Sequence, residues 1–288
     1  MTTADFTTHL LAHWKVWGDQ TQEVWNKLLD KTTDDPSIIW IFGSTLVMLL
    51  SYWSYAAFFT FVDITNKPRW ILKYKIQPEQ NVPVDRQKLW KAIKQVLFNQ
   101  IVVTTLGLYI GNLVLFKSWT PASIRQLPTM KTYLIDLALM SLLEEPLFYY
   151  AHRMLHHRSI YKYFHKKHHE WTSPIAAMTF YCHPVEHIVS NFGPIALMAG
   201  LLNVHVVVSW TFTILAIVNS MTDHTGYYFP FPLSKESVLF HDYHHAKFNY
   251  NFGVFGWLDK LHGTYRDMKT EKPQIKSKKP ANKLNSKN

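Results

Sequence analysis

Residues 37–62 read SIIWIFGSTLVMLLSYWSYAAFFTFV, 26 consecutive positions without a charge. At roughly 1.5 Å of rise per residue, a helix of this length exceeds the ~20 residues that cross a bilayer core. A buried helix of a soluble protein this long and this apolar is unusual, so the segment predicts a membrane span. Further along, residues 95–116, QVLFNQIVVTTLGLYIGNLVLF, form a second uncharged run. Its Thr and Gly residues suit helix–helix contact in lipid. A third candidate, TYLIDLALMSLLEEPLFYY at 132–150, contains Asp136, Glu144 and Glu145. Acids are costly in hydrocarbon and are expected to face protein or a polar cavity. Pro146 either kinks this helix or begins a new turn. The fourth apolar region, 188–220, is interrupted by Gly193-Pro194, Gly200 and Asn203. It is short for two full crossings, which predicts a hairpin of shortened or tilted helices.

The charges are distributed as membrane topology requires. Net charge is +10, but eight Lys/Arg against three acids lie in 63–94, and nine against three follow Trp257. Segment 1–36 is the reverse, with three basic and six acidic residues. Under the positive-inside rule this predicts a lumenal N-terminus, with the 63–94 loop and the C-terminal part in the cytosol. No reading motif accompanies the charge, so nucleic acid is not an expected partner. The 11 Trp, 15 Tyr and 18 Phe suit a chain that meets a bilayer interface. The first 36 residues are polar and mixed in charge, without the pattern of a cleavable signal peptide. The single cysteine, Cys182, cannot form an internal disulfide and reads as a small buried apolar residue. Four regions follow: a lumenal segment 1–36, two spans with their basic loop over 37–131, a catalytic region 132–268, and a basic tail 269–288 whose composition reads as disordered.

Fourteen of the sixteen histidines fall between positions 152 and 262, and their spacing is informative. His152 and His156 are four apart. His165, His168 and His169 form HxxHH, and His241, His244 and His245 repeat it. Positions i, i+3 and i+4 share a helix face, so each cluster can aim two or three imidazoles at one point. His183 and His187 add an i, i+4 pair in HPVEH, and His224 follows the last apolar run. Eight histidines in the three main clusters exceed what one ion uses; two ions with four or five nitrogen ligands each would absorb them. Loose zinc binding by a solvated basic stretch is the competing reading, yet it does not call for two HxxHH units beside apolar helices. Imidazole suits Zn, Cu, Fe and Ni alike. The sequence has no HExxH, G-x-S-x-G or P-loop pattern. His9, His13, His205 and His262 read as structural.

The clusters HRMLHH (152–157), HKKHH (165–169) and HDYHH (241–245) resemble the three histidine boxes of the fatty acid hydroxylase/sterol desaturase superfamily. YCHPVEH, DHTGY and LDKLHGT, starting at Tyr181, Asp223 and Leu258, strengthen the resemblance. It implies an all-α integral membrane bundle with a cytosolic histidine-rich di-metal cap on the endoplasmic reticulum. It further implies two Fe ions, O2 as co-substrate, a lipid substrate, and electrons from NAD(P)H through an external donor such as cytochrome b5 or its reductase. The ligand set so implied is His152, His156, His165, His168, His169, His241, His244 and His245, with His224 and His183 completing it. The second histidine of HPVEH is replaced in some members, which favours His183 over His187. Glu144, Glu145, Glu170, Glu186, Asp223 and Asp242 are placed to orient ligands, the two Asp above all. Tyr149, Tyr150, Phe180 and Tyr181 are candidates to line a lipid route. Three activities fit: a sterol or methylsterol oxidase, an acyl-chain hydroxylase or desaturase, and a catalytically silent membrane protein on the same scaffold.

Overall fold

Asp35 starts the first long helix: its carboxylate accepts from the Ser37 and Ile38 N–H groups at 2.8 and 3.0 Å, with Pro36 in the first turn. The computed structural model describes residues 18–115, 119–229 and 235–267. Helix α1 covers 18–31. Helix α2 (Pro36–Thr65) ends where Asn66 takes the left-handed conformation at φ 54°. Helix α3 (Arg86–Val114) is capped by Asp85, and α4 (Pro121–Arg125) by Thr120. Helix α5 (Met130–Leu155) continues through Pro146. A short α6 (Tyr161–Phe164) precedes α7 (Pro184–Leu202) and α8 (Val206–Asp223). Helices α9 (Lys235–Lys247) and α10 (Trp257–His262) complete the chain. Among the described residues there is no strand, only an isolated bridge between Lys75 and Tyr227.

Helices α2, α3, α7 and α8 are long and apolar enough to cross a membrane. The region 188–220 is a hairpin: Asn203 (φ 50°) ends α7 and the His205 ring caps α8, so the chain reverses within a few residues. The chain is thus an integral membrane helical bundle. Two layers of core run along it. One joins Trp25, Trp40, Met140, Ala199 and Phe212; the other joins Tyr52, Ala92, Trp171, Met178 and Ile217. Outside, apolar side chains such as Phe42, Leu50, Ile110, Leu201 and Leu215 remain exposed, a surface that water would penalise and lipid would not. Close packing follows small residues. A Cβ on Gly43 would lie 2.6 Å from the Trp210 ring, and one on Gly107 would strike Phe192.

Side-chain contacts assign the two ends. At one end, Trp25 donates to Ile124 O (2.8 Å), Trp119 to Asn203 (3.0 Å), and Arg125 to Asp34 (2.8 Å). At the other, the 66–84 loop is tied to the residues after α8. Lys75 Nζ lies 3.3 Å from Asp63, Tyr227 OH donates to the same oxygen at 2.9 Å, and all three are buried. Helix α5 runs from the first end, where Tyr133 donates to Thr211 (2.9 Å), to the histidines at the second. It therefore runs the length of the bundle, although its acids keep it out of the four helices apolar enough to cross a membrane. Leu134, Leu139 and Leu142 face outwards while Glu145 is fully buried. The proposed tail 269–288 and His9 and His13 lie outside the described residues.

Candidate metal centre

Helix geometry and one turn of 3-10 helix at His168–Glu170 bring nine imidazoles together. His152, His156, His165, His169 and His244 form one group, and His168, His224, His241 and His245 form another. Within each group the candidate ligand atoms lie within 4.8 Å of one another. The i, i+4 pairs stay together: 152 with 156, 165 with 169, and 241 with 245. The middle histidine of each HxxHH crosses to the opposite group, because it sits a fraction of a turn away from its neighbours. His168 thereby joins the second group and His244 the first.

The spacing within each group fits a cation. His156 Nε2 lies 3.1 Å from His244 Nε2 and 3.2 Å from His169 Nε2, which is 3.1 Å from His165 Nε2. In the other group His241 and His245 approach His224 at 3.0 and 3.3 Å, and each other at 3.1 Å. One imidazole nitrogen carries either one proton or one lone pair, so it cannot satisfy several such neighbours at once. Two nitrogens about 2.1 Å from a shared ion, at right angles, are roughly 3.0 Å apart. A positive ion at the centre of each group resolves both observations.

The far nitrogens show how the rings are set. Nδ1 of His152 lies 2.8 Å from Phe252 O, that of His244 2.7 Å from Tyr250 O, and that of His224 2.7 Å from Ser220 O. A carbonyl only accepts, so Nδ1 carries the proton and each Nε2 lone pair points inwards. His165 Nδ1 lies 2.8 Å from Glu186 Oε1. Burial, reinforced by neighbouring rings, lowers the imidazoles' proton affinity: His156 falls to about 2 and His224 to about 4. His165, His168, His169, His241, His244 and His245 are lowered for the same first reason. Neutral rings are the form that binds metal.

Several sequence expectations land elsewhere. His183 belongs to neither group; its Nδ1 accepts from the Val185 N–H (3.1 Å) as the cap of α7, and its ring packs on Phe164. His187 is also outside, buried between Thr104 (2.9 Å) and Asn191 (3.1 Å). Among the described residues, Glu186 is the only one of the expected carboxylates that touches a grouped histidine. Asp242, a favoured candidate, instead accepts from Gln77 at 3.1 and 3.2 Å. Glu170 accepts from Tyr181 (2.7 Å). Glu145 accepts from the Val254, Phe255 and Leu258 N–H groups at 2.7, 2.7 and 3.2 Å. Asp223 lines the cavity described below.

Sequence reading missed the 250–264 segment as the frame of the centre. Asp259 accepts from the Phe252 and Gly253 N–H groups (2.9 and 2.7 Å) and from Thr264 Oγ1 (2.6 Å). Together with Glu145 it pins the loop whose carbonyls orient His152 and His244. The room is so tight that a Cβ on Gly253 would lie 2.6 Å from Glu145 Oε1. The signal was present in LDKLHGT, which supplies Asp259 and Thr264. His262 stacks on Tyr149 at 5.3 Å and is structural, as expected.

A cavity opens against this centre, between α5, α7, α8 and residues 253–254. His224 and His241 line it, as does Phe180, whereas Tyr149, Tyr150 and Tyr181 do not. Tyr149 is buried and Tyr150 meets His262, so the expected aromatic route is replaced by a cleft between apolar helices.

Comparison with known proteins agrees with this geometry. The fatty acid hydroxylase family profile matches residues 137–264. Human fatty acid hydroxylase domain-containing protein 2 is 41% identical over 90% of this chain and 76% of its own length. Fatty acid hydroxylase ahd1 of Mycosarcoma maydis is 33% identical over 88% of this chain and 64% of its own. Methylsterol monooxygenase 1 of Gallus gallus is 31% identical over 90% and 88%. No solved structure matches significantly. With its boxes gathered and nearly its whole length aligned to such relatives, the chain belongs to the fatty acid hydroxylase family.

Proposed function

We propose that the chain is a membrane-bound di-iron oxygenase of lipids, acting on a sterol of the methylsterol type. The observation that carries this reading is the division of nine histidines, eight of them buried and His156 half-buried, into groups of five and four beside a cleft between membrane helices. The five-histidine set exceeds the four ligands of a closed zinc site, and imidazole suits redox iron. His152, His156, His165, His169 and His244 would hold one iron, and His168, His224, His241 and His245 the other. When bound, the pair supplies oxidation of an unactivated C–H bond with O2.

The chain's own residues do the rest. Phe252, Tyr250 and Ser220 carbonyls hold Nδ1–H groups, so that the ligating lone pairs cannot rotate away. Ile195, Met198 and Ile217 wall the cleft and exclude water from a lipid lying in it. Residues 132–268 form the catalytic region in this account. The basic segment 63–94, with Lys260 in α10 and Arg266 just after it, belongs to the end that carries the histidines, which supports a cytosolic face under the positive-inside rule. The endoplasmic reticulum is the membrane we assign. An external donor, cytochrome b5 or its reductase drawing on NAD(P)H, supplies electrons. The relative named as a fatty acid hydroxylase keeps an acyl-chain substrate as the second reading.

Purified chain in lipid, given NADPH, cytochrome b5, its reductase and 18O2, tests this with methylsterol and acyl substrates side by side. Label incorporated into the sterol is the expected result. Label in the acyl chain alone would replace the substrate assignment with the second reading, and label in neither would overturn both.

A further inference from the structure

The polar groups of the cleft lie at one end of it. Helix α8 reaches the centre at His224; Asn219 lies five residues earlier, about 7.5 Å along the axis, and Ala216 and Ile217 lie deeper still. On the facing wall, Asn191 of α7 lies on the same side, while Ile195 and Met198 continue away from it. From the histidines outwards, the cleft therefore runs from polar to apolar.

The two asparagines have capacity to spare. Asn219 sits within a membrane helix, is exposed to the cleft, and its side chain makes no hydrogen bond among the described residues. Asn191 turns its Nδ2 towards His187 Nδ1 (3.1 Å) and Cys182 Sγ (3.6 Å), and its Oδ1 has no partner among the described residues. An amide without a partner in hydrocarbon is costly, so two on facing helices call for a ligand group that completes them. The charge of the cleft narrows that group. Glu144 and Asp223 line it and, among the described residues, neither Lys nor Arg does. A lipid carboxylate or phosphate would meet no cation there beyond the metals themselves, whereas a neutral hydroxyl both donates and accepts.

We propose that Asn219 and Asn191 are specificity-determining residues that grip a neutral hydroxyl of the lipid, with the lipid's bulk lying in the apolar depth of the cleft. This rests on the lipid-oxygenase reading and extends it. The carbon offered to the metals then lies within a few bonds of the gripped hydroxyl, since only about 7.5 Å of helix separates Asn219 from His224. A carbon midway along a long acyl chain does not meet that condition.

The test is anaerobic radioligand binding to the iron-loaded protein in nanodiscs, which reads affinity without turnover. The probes are a methylsterol, its O-methyl ether, and palmitate. Wild type is expected to prefer the free sterol over the ether by about tenfold, the worth of a good hydrogen bond. Asn219→Leu is expected to abolish that preference by weakening the sterol alone, with iron content unchanged, and Asn219→Gln to restore part of it. Asn191→Leu serves as the independent second variant with the same expectation. Equal affinity of wild type for sterol and ether, or a preference that survives both Leu variants, overturns the assignment. Tighter binding of palmitate than of sterol also overturns it, yet leaves the lipid-oxygenase reading standing. Binding of no lipid at all removes both.

Discussion

Replacing Glu145 by Gln probes the frame of the centre without touching a ligand. The Glu145 carboxylate is fully buried and accepts three backbone N–H bonds from Val254, Phe255 and Leu258. A hydrogen bond to a charged acceptor contributes about 1.5–3 kcal/mol and a neutral one about 1. In Gln the amide oxygen can keep the two 2.7 Å bonds in weakened form, while the NH2 group opposes the Leu258 N–H. The sum is about 3 kcal/mol, roughly a hundredfold in the docked population of the loop. That loop positions Phe252 O and Tyr250 O, which orient His152 and His244, both in the five-histidine group. The four-histidine group takes none of these supports; its His224 is set by Ser220 O within α8. Iron per chain, measured by mass spectrometry after anaerobic loading and dialysis, is therefore expected to fall from two towards one, with a lower melting temperature. Asp259→Asn, which weakens the same loop from its other side, should act in the same direction. Two irons retained with an unchanged melting temperature in both variants would refute the reasoning.

Other outcomes follow from the same geometry. His183→Ala is expected to leave iron content unchanged, because that ring caps α7, whereas His224→Ala loses the ion of the four-histidine group; equal loss from both would reverse the assignment. The buried rings take protons below their ordinary value of about 6.5, so the fold and its metals are favoured above that pH and disfavoured as it falls. Each ring costs up to about 1.4 kcal/mol per pH unit below 6.5, until its own lowered value is reached. Iron retention on dialysis should drop steeply between about pH 6.5 and 5, and a loss that instead grew above pH 7 would contradict the neutral-ring geometry. Lys75→Met strands Asp63 beside Tyr227 and is expected to destabilise by about 3–5 kcal/mol in thermal unfolding, whereas adding Asp63→Leu recovers most of it; a harmless single variant would deny the staple its role.

Much of this molecule is written in local pattern. Uninterrupted apolar runs specify α2 and α3, and the breakers Gly193-Pro194 and Asn203 mark the α7–α8 hairpin, because both signals act within one or two helical turns. The i, i+4 histidine pairs likewise stay paired in space. What local pattern could not carry was the partition: His168 and His244 change groups through the relative packing of α5, α8 and α9, which no spacing encodes. The carboxylates were misjudged for a related reason. Asp242 and Asp223 adjoin ligands in sequence, but adjacent residues on a helix point about 100° apart, so Asp242 meets Gln77 rather than a neighbouring ring. His183 follows the spacing of a ligand and is used as a helix cap, because Pro184 begins a helix at that point. The frame built by Glu145 and Asp259 joins residues more than a hundred positions apart and was visible only as an unexplained motif.

The most direct measurement is metal identity and stoichiometry with Mössbauer spectroscopy on 57Fe-loaded chain. Two iron ions per chain, spin-coupled and lost together in the double variant His168→Ala/His244→Ala, is the expected result. A single ion, a stoichiometric zinc, or two irons that survive that double substitution would contradict the di-iron centre.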